Sequence, residues 1–305
     1  MYDLACVGTT TVDMYFKGEA LTHNTLQFNL GIGQKYFTDY FYEGIGGGAT
    51  NVAIGVSKLG LRSTLISEIG QNPFKRVIIE KLDLTNVAHS HCLLTHDYYN
   101  FSTVLLTENG EKTVINYRTH KTKFLHDLPE DTIFRGLKGL YLGNLSHISV
   151  TKRANLLTHA KKHDIATFVT LGTSDCQKGF EQNEEILRHT DVLILNSEEF
   201  ANLVQISQNH LNWSKSLLTQ FTSINLPKIV IITDGSNGSY GYWQSNIHHQ
   251  PAEKISRVVD STGAGDGYAA GFIAGCIKSN QGNIPAAMAI GTRYASLKLR
   301  HLGAN

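Results

Sequence analysis

Asp260-Ser261-Thr262-Gly263-Ala264-Gly265-Asp266-Gly267 runs directly into an apolar stretch that ends at Ile277. Within that stretch Ala269, Phe272, Ile273, Cys276 and Ile277 recur at the three- and four-residue spacing of one helix face. The glycines therefore fall at a helix N-terminus, where backbone N–H groups lack intrahelical partners and the helix dipole adds partial positive charge. Such an end binds anions. Asp266 reads in two ways, as a simple helix cap or as a general base held beside a bound phosphate. Glycines on both sides of one carboxylate favour the second.

Outward from this stretch, Leu4–Val7, Leu65–Ile69, Leu137–Leu142, Ala166–Val169, Val192–Leu195 and Ile229–Ile232 are short, continuous apolar runs. Continuous rather than alternating runs predict strands of a parallel sheet covered on both faces. Between them, Ala49, Val52, Ala53, Val56 and Leu59 mark a helix ending near Gly60, and Thr151–His163 and Ala286–Arg300 also read as helices. The alternation predicts an α/β fold with a doubly wound, mostly parallel sheet flanked by helices. Two segments break it. Phe101–Thr107 and Lys112–Tyr117 flank Glu108-Asn109-Gly110-Glu111, whose Asn-Gly is a hairpin signal, and the stretch Asp13–Tyr42 is more strand-like than helical. Residues 1–305 are thus expected to form a single domain with a small β-sheet lid from roughly 13–42 and 97–118. The edge strands of such a sheet offer a homodimer contact.

Composition narrows the function classes. The 28 glycines accompany only 5 prolines, which suggests tight turns and close backbone approaches rather than flexible linkers. Lys plus Arg exceed Asp plus Glu by 27 − 26 = 1, with no dense basic run, which argues against a nucleic-acid footprint or a polybasic membrane patch. Cys6, Cys92, Cys176 and Cys276 are scattered and expected as reduced thiols. The 14 histidines share no metal-ligand spacing with acids or cysteines. No signal peptide is apparent at Met1-Tyr2-Asp3, and the uncharged run Gly267–Ile277 is too short to cross a bilayer, so a cytoplasmic location is expected.

Val259–Asp266 closely resembles the C-terminal signature of the PfkB, or ribokinase-like, carbohydrate kinases, D-T/S-T-G-A-G-D. Gly46-Gly47-Gly48-Ala49-Thr50-Asn51 looks like the family's G-G-x-x-x-N, and Gly8 with Asp13 its opening G-x-x-x-x-D. Asn196-Ser197-Glu198-Glu199 is similar to N-x-x-E, and Thr233-Asp234-Gly235-Ser236-Asn237-Gly238 to T-x-G-x-x-G. Each short motif is weak alone; their order along the chain is specific. The resemblance implies a ribokinase-like fold and ATP-dependent phosphorylation of a hydroxymethyl group. It makes Asp266 the base and Gly263, Ala264 and Gly265 the amides that stabilise charge on the transferring group. Asp13, Gly46, Gly47 and Asn51 would bind sugar hydroxyls, with Arg118 above the substrate. Asn196 and Glu199 would organise Mg²⁺ through water, and Thr233, Gly235 and Gly238 would lie along the nucleotide. Asp260 and Thr262 fall where many relatives hold a monovalent cation such as K⁺ through backbone oxygens.

Each residue also has a plainer reading: a turn for Asp13, a local cap for Asn51, a dipole complement for Glu199, a hairpin for Gly235 and Gly238. Leu142-Gly143-Asn144, Thr170-Leu171-Gly172 and Thr292-Arg293-Tyr294 depart from the family's usual residues, so the resemblance does not set the acceptor. Gly48 replaces a lysine found in some relatives, and the balance leans to a neutral monosaccharide or nucleoside. Two other classes compete. Gly44-Ile45-Gly46-Gly47-Gly48-Ala49 fits the dinucleotide fingerprint, with Glu68 at 68 − 44 = 24 residues on, as in an NAD(P)-dependent oxidoreductase. A non-catalytic sugar or nucleotide sensor on the kinase fold is the third.

Overall fold

The structure, a computed structural model, describes all residues except 121, 128, 214–226, 257, 280, 281, 302 and 304. The chain opens with β1 (Leu4–Val7), β2 (Thr11–Lys17) and β3 (Tyr40–Gly46). Then come α1 (Gly48–Lys58), β4 (Ser63–Ile66), β5 (Glu68–Gly70), α2 (Phe74–Leu84) and β6 (Leu93–Thr95). The hairpin β7 (Asn100–Leu106) and β8 (Lys112–Arg118) precedes α3 (Asp131–Phe134), β9 (Gly139–Leu142), α4 (Val150–Lys162) and β10 (Ala166–Val169). Next are α5 (Thr173–Cys176), α6 (Gly179–Leu187), β11 (Val192–Asn196), α7 (Ser197–Leu203) and β12 (Ile229–Thr233). β13 (Ser239–Trp243), β14 (Asn246–Gln250), α8 (Ala264–Lys278) and α9 (Ile284–Lys298) complete the described elements.

The main sheet has the order β14-β13-β12-β11-β10-β9-β1-β4 and is parallel except for the two strands at its β14 edge. Strand alternation sends Leu4 and Cys6 to one face and Ala5 and Val7 to the other, and all four are buried. Helices α1, α2, α8 and α9 cover the first face, and α4, α6 and α7 the second. Continuous apolar runs are the consequence of two covered faces, as expected from the sequence. The antiparallel β13–β14 edge was not foreseen, because Tyr240, His248 and His249 break any apolar run there. Its turn at Gln244 and Ser245 has φ of 47° and 61°, the paired positive values that suit a tight hairpin.

The run expected as one strand over Leu65–Ile69 is two. It breaks at Ser67, whose hydroxyl accepts a 2.9 Å hydrogen bond from Thr10, so that β4 stays in the main sheet while β5 pairs with β6. The strand expected from Leu137 begins at Gly139. The second sheet has the order β3-β2-β7-β8 and lies over the first as a lid; within Asp13–Tyr42 only the two ends are strands. Thr11↔Gly46 and Asn100↔Arg118 mark its core-side end.

Candidate active site

Space on either side of β1 is filled by β4 and β9, so the winding direction reverses there and leaves a crevice at the C-terminal strand ends. The start of α1 sits in it. A Cβ on Gly8 would lie 2.8 Å from Ala49 Cβ, and one on Gly143 would lie 3.4 Å from Ala49 N, so both strand ends admit the helix closely. Gly47, the residue before α1, has φ 93°, a value that suits glycine. Gly46 leaves the room that Asp13 occupies, since a Cβ there would collide with its carboxylate.

The N-terminus of α8 meets that of α1. Gly263 adopts the left-handed conformation at φ 73° and starts α8, freeing the amides that follow. Asn51 Nδ2 donates to Asp266 Oδ2 at 2.6 Å, across 215 residues of chain. Neither residue is spent on its own helix. Burial raises the Asp266 pKa, with the hydrogen bond from Asn51 and the charge of Lys298 working against it. Asn305 Nδ2 in turn donates to Asn51 Oδ1 at 2.6 Å and to Ile45 O at 2.9 Å, which fixes the amide orientation.

Asp13 lies on β2, not in a turn. It accepts from Thr11 Oγ1 at 3.1 Å and from Ser102 Oγ, and burial raises its pKa. The register places Asp13, Ser102, Asn116 and Arg118 on one side of the lid sheet. Arg118 makes no side-chain hydrogen bond or ion pair recorded among the described residues. Its charge, after burial, helps push His147 down to about 4, so it stands toward His147 and Tyr98 rather than in bonding contact with Asp266.

Asn196 and Glu199 form a reciprocal capping box on α7, with Glu199 N to Asn196 Oδ1 at 2.8 Å and Asn196 N to Glu199 Oε2 at 3.0 Å. Structure and chemistry coincide here. Burial, and then the charges of Asp266 and Glu198, push Glu199 up to about 7 against the lowering bond from Asn196. A carboxylate that feels Asp266 across the crevice with one oxygen uncommitted suits a divalent cation held between them.

Thr233, Gly235 and Gly238 line a cleft of about 560 Å³ together with Ala264, Gly265 and Thr292. Gly238, at φ 95°, also shapes the β12–β13 turn, where Asp234 N donates to Gly238 O at 2.8 Å. Thr292, which lines the same cleft, has a buried Oγ1 with no hydrogen-bond partner among the described residues.

The side-chain oxygens of Asp260 and Thr262 are taken by a lysine. Lys112 Nζ donates to Asp260 Oδ1 at 2.9 Å and to Thr262 Oγ1 at 2.5 Å, and so occupies the carboxylate. Lys112 carried no signal in the sequence beyond its place on a hairpin. Tyr141 was likewise missed: its ring is buried in an apolar strand, while its hydroxyl bonds Thr170 Oγ1 at 2.8 Å beside Gly48. The dinucleotide reading fails on geometry. Gly44–Gly46 belong to β3 in the lid rather than to a parallel strand, and Glu68 is 3% exposed and bonded to Thr95 and Thr122.

Fold and crevice together define a kinase of the ribokinase fold. The description "pfkB family carbohydrate kinase" matches residues 1–305, and the chain belongs to that family. It is 25% identical over 283 residues to a nucleoside kinase of Methanocaldococcus jannaschii, covering 91% of this chain and 84% of that one. To a 5-dehydro-2-deoxygluconokinase of Geobacillus thermodenitrificans it is 27% identical, covering 86% of this chain and 79% of that one. Arabidopsis thaliana ribokinase complexed with ribose and ATP superimposes at a TM-score of 0.81, with 20% identity over 99% of this chain and 94% of that one. All four cysteines are free, and among the described residues no helix is long and apolar enough to cross a membrane.

Proposed function

We propose that the chain transfers the γ-phosphoryl group of ATP to a hydroxymethyl group of a neutral sugar or nucleoside, with Asp266 as general base. The observation that carries this reading is the Asn51–Asp266 bond between two converging helix N-termini. Asn51 aims one carboxylate oxygen and leaves the other toward the crevice, where it takes the proton as the hydroxyl attacks. The amides of Gly263, Ala264 and Gly265 then face the charge that develops on the transferring oxygens. A raised pKa makes Asp266 a better proton acceptor than an ordinary carboxylate.

Asp13 and Asn51 accept and donate to the acceptor's other hydroxyls, with Gly46 and Gly47 admitting the ring closely. Two carboxylates at this end oppose an anionic acceptor, which supports a neutral one. Thr233, Gly235 and Gly238 lie along the nucleotide, and Thr292 offers its unpartnered hydroxyl to it. Mg²⁺, when bound near Asn196 and Glu199, neutralises the phosphates and orients the leaving group. The lid excludes water from the closed site.

The test is ADP release from MgATP across pentoses, hexoses, nucleosides, sugar acids and sugar phosphates, with Asp266→Asn alongside. Acceptor-dependent release that falls by about 10²–10⁴-fold in the variant, at unchanged melting temperature, is the expected result. Near-normal turnover by Asp266→Asn would sink the base. Activity confined to acidic acceptors would overturn the neutral-substrate reading and turn attention to Arg118.

A further inference from the structure

The Asp260 carboxylate is 2% exposed and accepts four donors. Lys112 Nζ, Thr262 N and Thr262 Oγ1 reach Oδ1, at 2.9, 2.9 and 2.7 Å, and Gly303 N reaches Oδ2 at 3.0 Å. Burial alone would raise its pKa; these bonds outweigh that and hold it below the ordinary carboxylate range. A carboxylate this enclosed needs a cation, because an unpaired buried charge is strongly destabilising. The cation comes from the lid. Lys112 opens β8, paired with Leu106, while Asp260 lies three residues before Gly263 and the start of α8.

We infer that Lys112 is a tethered cation that replaces a free monovalent ion at Asp260 and Thr262, so that the phosphate-binding loop is ordered without K⁺. The chemistry is that of one charge for another: an ammonium on the side-chain oxygens of Asp260 and Thr262 supplies the single positive charge that a potassium ion would bring to the backbone oxygens of the same loop. Unlike a free ion, the ammonium is bound covalently to the lid hairpin, and it links lid position to the loop that begins the anion site. Lys112 is a positioning residue; it acts through Asp260, not on the reacting atoms. The kinetic part of this inference rests on the reading of Gly263–Asp266 as the phosphoryl site.

The experiment compares the full chain with Lys112→Met, in K⁺ or in tetramethylammonium at matched ionic strength. Two quantities are read: melting temperature without substrate, and turnover with the best acceptor. The wild-type protein should melt at the same temperature in both salts and turn over within two-fold. Lys112→Met should melt lower in tetramethylammonium and recover several degrees with K⁺ or NH₄⁺. Its turnover should drop by about 10- to 100-fold and be partly rescued by the same ions, since a misplacement of ~1 Å costs on the order of 10². Wild-type stabilisation by K⁺, or a Lys112→Met defect that no cation repairs, would overturn the inference. The melting pattern without turnover by the wild type would retain the cation assignment and discard the kinase reading alone.

Discussion

At the residue scale, the site turns on carboxylates whose acidities are set by burial. Asp266 and Glu199 are both raised by burial, and the charge of Asp266 adds to the rise at Glu199. If the base must be ionised, kcat/KM should climb with pH through a limb above that of a free carboxylate. Glu199→Gln should move that limb to lower pH, as measured by a pH–rate profile. The same residue has a stability signature. Its pKa is raised in the folded state, from 4.5 to about 7, so its favourable contribution is complete below 4.5 and is lost as pH rises through 7. Gln can keep the capping box, so Glu199→Gln should gain stability at pH 8 relative to pH 5. About 1–3 kcal/mol is expected, discounted because solvent reaches one side of the group. Thermal melts at the two pH values check it.

At the element scale, the placement of α8 depends on small residues that have nothing to do with anions. The apolar face of α8 packs toward the sheet and α1, while Gly271 and Gly275 lie against α9. A Cβ on Gly271 would lie 2.7 Å from Ile290 O and 2.8 Å from Gly291 Cα, and one on Gly275 would lie 2.7 Å from Ala287 Cα. The two helix backbones therefore touch, and α8 has one position. Gly271→Val should cost about 1–3 kcal/mol through overpacking, read by urea denaturation. Because α8 carries Asp266 at its first turn, the same variant should also lose turnover beyond what its unfolded fraction explains. The glycine count was visible in the sequence, but which glycines serve turns and which serve helix contact was not. Gly263 and Gly271 look alike until a partner helix is present.

At the scale of the whole molecule, the lid has two unlike sides. Asp13, Ser102 and Arg118 share the crevice side, whereas Phe16, Thr103 and Ile115 share the other. On that outer side Phe41, Ile115 and Tyr117 are each more than half exposed, at 53%, 60% and 52%. An apolar sheet face with free edges at β3 and β8 predicts association with a second copy. Light scattering after gel filtration should find a dimer, and Ile115→Lys should shift it to monomer without changing the α/β core. A monomeric wild-type protein at micromolar concentration would refute this.

Much of the architecture follows from local physics. Continuous apolar runs between helical repeats can be satisfied only by a sheet covered on both faces, and Leu4–Val7 shows the rule residue by residue. The glycine-flanked Asp266 was legible for the same reason, since a helix N-terminus binds anions wherever it occurs. What adjacency in sequence could not supply was the partner of each charge. Asn51 reaches Asp266 across 215 residues, and Lys112 reaches Asp260 across 148. A hydrogen bond depends on a separation of about 3 Å in space, not on distance along the chain. Only the packing of lid, sheet and helices brings those atoms together, and with them a lysine to the position where the sequence suggested a free ion.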